Sequence, residues 1–148
     1  MNIRGTVNVT KPVKQTLKQL HLLSRYRAVI VPDNVVYRGM LQVAKDRISW
    51  CPIDTPFIAK ILEKRARKEG GKPLTIDDLQ KLGYSSFIDL AQDLQNGKTS
   101  LKQLKGVKRS FALAPPKGGF KRSTKRSCRQ GGVLAENPDL SKLVDAML

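Results

Sequence analysis

The residues of this 148-residue chain that are best suited to bind a ligand form one long basic stretch. Between Asp93 and Glu136 there is no acidic residue, but there are eleven lysines and arginines. They are Lys98, Lys102, Lys105, Lys108, Arg109, Lys117, Lys121, Arg122, Lys125, Arg126 and Arg129. Like charges this close together repel one another and are costly to bury, so a polyanion is needed to neutralise them. The stretch therefore predicts binding to nucleic acid.

The segment from Pro115 to Gly132 carries the strongest part of this signal. Its glycines let the backbone approach phosphates closely, its lysines and arginines neutralise them, and its serines and threonine donate hydrogen bonds. Phe120 is suited to stack on an unpaired base, although it could equally anchor the segment in the core. A solvated tail is the alternative for the whole segment. The apolar helix predicted after it would tether its far end and favours a binding loop.

Further basic residues accompany the second predicted strand and the second predicted helix. Arg25, Arg27 and Arg38 could meet phosphates or could be ordinary solubilising residues, and Arg38 has an alternative partner in Asp33. Gly39 costs a helix about 0.8–1.0 kcal/mol relative to alanine, which either close approach of RNA or tight packing would explain. The candidate RNA-binding residues are Arg4, Arg25, Arg27, Arg38, Gly39, Lys117, Gly118, Gly119, Phe120, Lys121, Arg122, Lys125, Arg126 and Arg129.

The chain offers little for catalysis. His21 is the only histidine, with no carboxylate or cysteine cluster near it in sequence, and Asp77 and Asp78 are typical first-turn charges of a helix. The two Gly-Gly pairs lack the spacing of a phosphate-binding P-loop, and two cysteines and one histidine, widely separated, make no zinc site. Trp50 is interpreted as a core residue. We therefore predict no enzyme, no metal, no cofactor and no small-molecule substrate.

Composition sets the broad class of protein. The chain has 28 basic and 12 acidic residues, a formal charge of +16, and 40% hydrophobic residues. A chain of this length buries roughly 68–70% of its unfolded surface in one domain, so a folded core is expected. No stretch approaches the roughly 20 apolar residues of a membrane span, and the start lacks the apolar core of a signal peptide. A cytoplasmic protein without a membrane partner is expected.

The first 52 residues have the pattern β-α-β-α-β. We predict strands over residues 3–9, 27–31 and 48–51, with a helix after Thr10 and a second helix capped by Asp33. Together these elements predict a small α/β sheet of the ferredoxin-like kind with helices on one face. The second helix should bury an apolar stripe of Val36, Met40, Val43 and Ala44, and Met40 should share one core with Leu17 and Ile30.

The remainder predicts short helices and then a basic loop. Helices should start at Asp54, Thr75 and Ser85 or Ser86, and a return strand should lie within residues 110–114. A loop then runs to about Val133, followed by an amphipathic helix that docks on the core. We therefore predict three domains: a core over 1–52, a helical extension with a return strand over 53–114, and a basic RNA-binding loop with a C-terminal docking helix over 115–148.

Two motifs resemble a known family. The run from Tyr26 to Asp33, followed by Tyr37-Arg38-Gly39-Met40-Leu41, resembles the signature of large-subunit ribosomal protein number thirty, whose eukaryotic counterpart is number seven. The run from Pro115 to Lys121 resembles the loop of its archaeal and eukaryotic branch. The chain lacks the long basic N-terminal extension typical of the eukaryotic proteins, which favours the archaeal form. In many members Thr-Pro follows the Pro-Asp of the motif, where this chain has Asn34 and Val35.

The resemblance implies a ferredoxin-like core and a structural role on the cytoplasmic ribosome. Its implied partners are large-subunit ribosomal RNA and neighbouring ribosomal proteins, with the 5S RNA close by. Arg38, Gly39 and Met40 match the shared signature, and Lys117 to Lys121 match the branch-specific loop. The alternative within this class is a free-standing RNA chaperone or another nucleic-acid-binding protein, such as a chromatin-associated one. A small nuclease or metal-handling domain is the rival of another class, and it would need a carboxylate or His/Cys cluster that the sequence does not supply.

Overall fold

The computed structural model describes residues 1–101, 103–104 and 106–148. Lys102 and Lys105, two of the eleven basic residues of the acid-free stretch, lie outside the described residues. The chain forms two compact units. Unit 1 contains residues 1–29, 33–52 and 112–148, and unit 2 contains residues 30–32 and 53–111. In the part of the chain that is described, no helix is both long enough and apolar enough to cross a membrane.

Six α-helices and five short strands make up the fold, within the described ranges. The helices are α1 (Lys11–Gln19), α2 (Val35–Val43), α3 (Thr55–Arg65), α4 (Ile76–Lys81), α5 (Phe87–Gln95) and α6 (Leu140–Asp145). The strands are β1 (Arg27–Ala28), β2 (Ser49–Trp50), β3 (Phe111–Ala112), β4 (Ser123–Ser127) and β5 (Gly132–Glu136), with a 3₁₀ turn over Cys128–Gln130. This mixture of helices and small sheets confirms the predicted α/β class and is consistent with a ferredoxin-like fold.

The start of the chain is held in place without forming the predicted strand over residues 3–9. Asn2 makes a single antiparallel bridge to Ile48, and its amide donates a hydrogen bond to the Arg27 carbonyl at 2.8 Å. Gly5 and Asn8 then adopt left-handed conformations with φ of 74° and 54°, and such conformations interrupt an extended strand. The prediction of this strand was wrong because the apolar alternation after residue 3 is broken by turns.

The five strands form two small sheets within the described residues. β1 pairs with β3, and β5 lies between β2 and β4 with parallel pairing on both sides. The predicted strand over 27–31 is shortened to the two residues of β1, and the return strand is likewise shortened to β3. β4 and β5 lie in the segment for which we predicted a continuous loop, so that prediction was wrong for most of its second half. Leu140 and Val144 of α6 are buried, and so is Met147, which follows the helix.

The second helix, α2, is less buried than its apolar pattern predicts. Asn34, one residue later than predicted, caps it by accepting a hydrogen bond from the Tyr37 amide at 2.9 Å. No residue within α2 is buried; Val36 is 70% exposed and Val43 51% exposed. Met40 is half-buried, and of the predicted stripe only Ala44, just past the helix end, is fully buried. The prediction of one core containing Leu17, Ile30 and Met40 was therefore wrong.

Leu17 on α1 is the better test of the unit 1 core. It is completely inaccessible to solvent, so Leu17→Ala should lower the free energy of unfolding by about 2–5 kcal/mol through lost burial and a residual cavity. Val36→Ala removes a mostly exposed side chain and should change it by less than about 0.5 kcal/mol. Chemical denaturation of both variants gives the comparison. Equal losses would contradict this packing arrangement.

Unit 2 contains the short helices that the sequence predicts. α3 and α5 pack against each other, burying Ile58, Leu62 and Leu90. The capping box of α4 is confirmed, since the Thr75 amide donates to the Asp78 carboxylate at 3.1 Å, and Ser86 caps α5. α3 ends at Arg65, and the residues that follow form an antiparallel bridge between Arg67 and Pro73.

Candidate nucleic-acid interface

An aromatic pair in unit 1 anchors the basic segment that begins at residue 115. The rings of Tyr26 and Phe120 stack with their centroids 6.1 Å apart and their planes inclined by 23°. Such offset pairs add about 0.5–1.5 kcal/mol beyond the area they bury. Phe120 thus contacts the protein itself, as the alternative interpretation of this residue anticipated, at a tyrosine whose neighbours in the chain are Arg25 and Arg27.

Tyr26 occupies an unfavourable backbone conformation that its neighbours maintain. Its φ is 58°, in the left-handed region that non-glycine residues seldom occupy. Its amide donates to the Asn2 carbonyl at 2.8 Å, and its carbonyl accepts from the Leu113 amide at 2.9 Å. Conformations of this kind cost about 1–3 kcal/mol and persist where the surrounding structure enforces them. The two hydrogen bonds therefore fix the direction of the ring that receives Phe120.

Arg4 and Arg25 of unit 1 donate hydrogen bonds to backbone carbonyls. The Arg25 guanidinium donates through Nε to the Arg4 carbonyl at 3.3 Å, and Arg4 donates to the Asp46 carbonyl at 3.2 Å. The stem of Arg25 passes directly over Gly5, where a Cβ would be 3.0 Å from its Cγ. Backbone carbonyls leave the guanidinium charge uncompensated, so Arg4 and Arg25 keep their attraction for phosphate. Arg27 lies in β1, one residue beyond Tyr26.

The turn before Phe120 presents its cations to solvent. Gly118 and Gly119 both have φ near 78°, a conformation that glycine alone adopts readily, and the Gly119 amide closes the turn on the Pro116 carbonyl at 2.9 Å. Lys117 and Lys121 on either side are exposed. Arg122, 52% exposed, pairs with Asp139 at 3.5 Å, and an ion pair this open is weak. The turn therefore offers its charges to an outside partner.

The basic residues after the turn lie in β4 and in the 3₁₀ turn, and two of them line a cavity. Lys125 and Arg126 extend from β4 and are exposed, and Arg129 lies in the 3₁₀ turn that follows. Lys125 and Arg129 line a cavity of 360 Å³ together with Lys45, which follows α2. We had not predicted Lys45 as a site residue. The only feature of the sequence that could have indicated Lys45 is its spacing of two helical turns from Arg38, which places both residues on the same side of a helix.

Trp50 also lies on the wall of this cavity. It is half-buried, so the interpretation as a core residue was incomplete.

Arg38 and Gly39 lie on the exposed surface of α2. Arg38 forms a two-pronged ion pair with Asp33, with both N–O distances at 2.6 Å, and this hydrogen bonding lowers the pKa of Asp33. Both side chains are about 70% exposed, so the pair competes with water and a phosphate could displace the carboxylate. A Cβ at Gly39 would meet nothing within 4 Å, which removes tight packing as the reason for this glycine.

Replacing Arg38 distinguishes its two roles. Arg38→Ala should barely change the melting temperature at pH 7, because the ion pair is exposed, but should weaken incorporation into the large subunit. The folded state holds the pKa of Asp33 down, so the pair stabilises the protein above the unfolded pKa of about 3.9 and this contribution disappears as the pH falls through the folded pKa. Melting curves from pH 2 to 7 measure this. A large loss of stability with normal incorporation would assign Arg38 to the fold.

The described residues contain no cluster suited to hold a metal ion. No three His, Cys, Asp or Glu side chains in the described ranges come together as metal ligands would. What unit 1 does offer is a set of exposed cations on a folded scaffold, around one aromatic anchor.

Comparison with known proteins supplies the family. The model of the family described as ribosomal protein L30p/L7e matches residues 2–48. The large ribosomal subunit protein uL30 of Nitrosopumilus maritimus is 41% identical over 148 residues, covering 100% of this chain and 96% of its own length. The chain belongs to the uL30 family.

Two further uL30 proteins support the assignment over the full length. That of Cenarchaeum symbiosum is 40% identical over 148 residues, and that of Staphylothermus marinus 42% identical over 155 residues. Each comparison covers 100% of this chain and 96% of the relative. All three relatives are archaeal, which confirms the resemblance to the archaeal branch. uL30 proteins are structural ribosomal proteins, so the prediction that this chain is not an enzyme is confirmed.

Proposed function

We propose that this uL30 chain is a structural constituent of the large ribosomal subunit that binds and stabilises ribosomal RNA through unit 1. The observation that carries the proposal is the stacking of Phe120 on Tyr26, which joins the basic turn to the chain segment that contains Arg25 and Arg27. Phosphate contacts from these cations would fix the position of the protein, and the folded scaffold would fix the direction of each contact. The site of action would be the cytoplasmic ribosome.

The RNA-binding surface we propose contains the predicted candidates in two groups. Arg4, Arg25, Arg27 and Lys117 to Arg122 surround the aromatic pair, whereas Lys125, Arg126 and Arg129 extend along β4 and the 3₁₀ turn. Arg38 and Gly39 on α2 would form a separate contact. Phe120 would act as the anchor of the turn. The partners would be large-subunit ribosomal RNA, neighbouring ribosomal proteins and the 5S RNA.

Sedimentation tests the proposal. The tagged chain, expressed in an archaeal host, should travel with the large subunit in a sucrose gradient and remain there after a high-salt wash. Crosslinking within that particle should recover large-subunit ribosomal RNA. It should also recover 5S RNA if the proposed contact with that RNA is correct. A chain that sediments alone while still binding RNA would be the free-standing chaperone, and the proposal would be wrong.

A further inference from the structure

The cavity of unit 1 between α2, β4 and β5 has the composition of a nucleotide site. Its most deeply placed lining residue is Leu134, 2% exposed, and Trp50 is half-buried beside it. The remaining wall includes exposed polar and charged side chains. An apolar base with a polar rim, and a volume of 360 Å³, falls within the roughly 300–1,000 Å³ of pockets that enclose small ligands.

The cations of the rim are available to a ligand. Lys45, Lys125 and Arg129 come from three separate elements, and within the described ranges none of them forms an ion pair with a carboxylate. Two carboxylates, Asp46 and Glu136, share the same rim. A bare anion such as inorganic phosphate would leave these two carboxylates without a hydrogen-bond donor. A ligand that carries both a phosphate and several N–H donors would satisfy both kinds of group.

The position of Glu136 relative to Trp50 indicates which edge of a bound base would face the carboxylate. The two residues are directly paired across the parallel strands β2 and β5, and both line the cavity, so their side chains lie on the same face of this sheet. A base that stacks on Trp50 would bring one edge to Glu136. A carboxylate only accepts hydrogen bonds, and among the RNA bases guanine alone presents two adjacent N–H donors on its Watson–Crick edge.

We propose that this cavity receives one unpaired guanosine nucleotide of ribosomal RNA, with the base against Trp50, its donor edge at Glu136 and its phosphate between Lys125 and Arg129. The amides of Gln42 and Gln130 on the rim would complete the hydrogen bonding of the base. This inference rests on the proposed RNA-binding function. It adds base recognition to a surface that otherwise binds only phosphate.

Trp50 reports directly on this site, because it is the only tryptophan of the chain. A uridine hexamer with one central guanosine should quench its fluorescence in the full-length protein and bind about tenfold more tightly than hexauridine. Glu136→Gln should remove most of this preference, because the amide keeps one acceptor oxygen and places a donor opposite the second N–H group of guanine. Asp139→Asn, a carboxylate-to-amide change three residues away and outside the cavity, should keep the preference.

Three other results would overturn the inference. These are equal quenching by both hexamers, a preference that is undiminished in Glu136→Gln, and binding of guanosine 5′-monophosphate as tight as that of the hexamer, which would assign the cavity to a free nucleotide. If Glu136→Gln melts early, Lys125→Ala repeats the test at the phosphate side and should weaken binding of the guanosine hexamer. Lys72→Ala, an exposed lysine of unit 2 that lies outside the proposed RNA surface, should not weaken it. Filter binding of a ribosomal RNA fragment runs in parallel. Retained fragment binding without guanosine preference refutes this inference alone, whereas loss of fragment binding refutes the proposed function itself.

Discussion

Replacing Lys121, Arg122, Lys125 and Arg126 together by alanine should weaken binding to a ribosomal RNA fragment by two orders of magnitude or more at low salt. Contacts to about six phosphates give a log–log dependence of affinity on salt with a slope of roughly −4 to −5, and each lost contact removes about 0.7–0.9 from it. The variant should therefore have a slope of roughly −1 to −2. Fluorescence anisotropy at several salt concentrations measures both quantities.

A charge-matched variant separates position from total charge. Lys64, Lys72, Lys81 and Lys98 are exposed lysines of unit 2, and replacing all four by alanine lowers the net charge by the same amount. If the RNA surface is in unit 1, this control should keep most of the affinity and most of the slope. Equal weakening by the two variants would mean that RNA responds only to net charge, and the assignment of the surface would be wrong.

Gly132→Ala should be the most destabilising single substitution near the basic segment. Gly132 begins β5, and a Cβ at this position would collide with the Arg126 carbonyl, a backbone atom that cannot move aside like a flexible side chain. Forcing the two strands apart should cost about 2–3 kcal/mol of unfolding free energy, a shift of about 4–12 °C in melting temperature. Calorimetry of the free protein provides the measurement.

Gly39→Ala is the matched control for this substitution. Nothing lies within 4 Å of a Cβ at Gly39, and alanine is the better helix former, so the free protein should gain about 0.8–1.0 kcal/mol. If RNA approaches α2 closely, the same change should weaken incorporation into the large subunit while the melting temperature rises. A loss of stability for Gly39→Ala, or none for Gly132→Ala, would contradict the described backbone.

The short helices of unit 2 were predictable because their signals are local. The Thr75 and Asp78 capping box and the Ser86 cap each act over three residues, so neighbouring residue types are sufficient to place the helix start. The apolar stripe of α2 was also visible, but periodicity shows only that a helix has an apolar face. Whether another element covers that face depends on tertiary packing, and Val36 remains mostly exposed.

The strand β4 and the stacking of Phe120 on Tyr26 could not be predicted from neighbouring residues in the sequence. β4 is rich in charge and has no apolar alternation, and its sheet depends on β5 being paired with β2, more than eighty residues earlier in the chain. The stacking of Phe120 on Tyr26 likewise joins distant residues. The basic segment itself was predictable from composition, since eleven like charges need no structure to be recognised. Only the pairing of strands explains how some of them come to line a cavity with Lys45.

The pairing of β2 with β5 also determines the order in which the protein can fold as it is synthesised. Ser49 lies opposite Ala135, and the Ser49 hydroxyl donates to the Ala135 carbonyl at 3.2 Å. Almost all of unit 2 lies between these two residues, as the continuous segment 53–111, and can fold as soon as it leaves the exit tunnel. Unit 1 must wait for β5 to emerge. Most of the acid-free stretch therefore leaves the tunnel before β5 can pair with β2. During synthesis, its lysines and arginines are exposed to cellular RNA on a chain that has not finished folding.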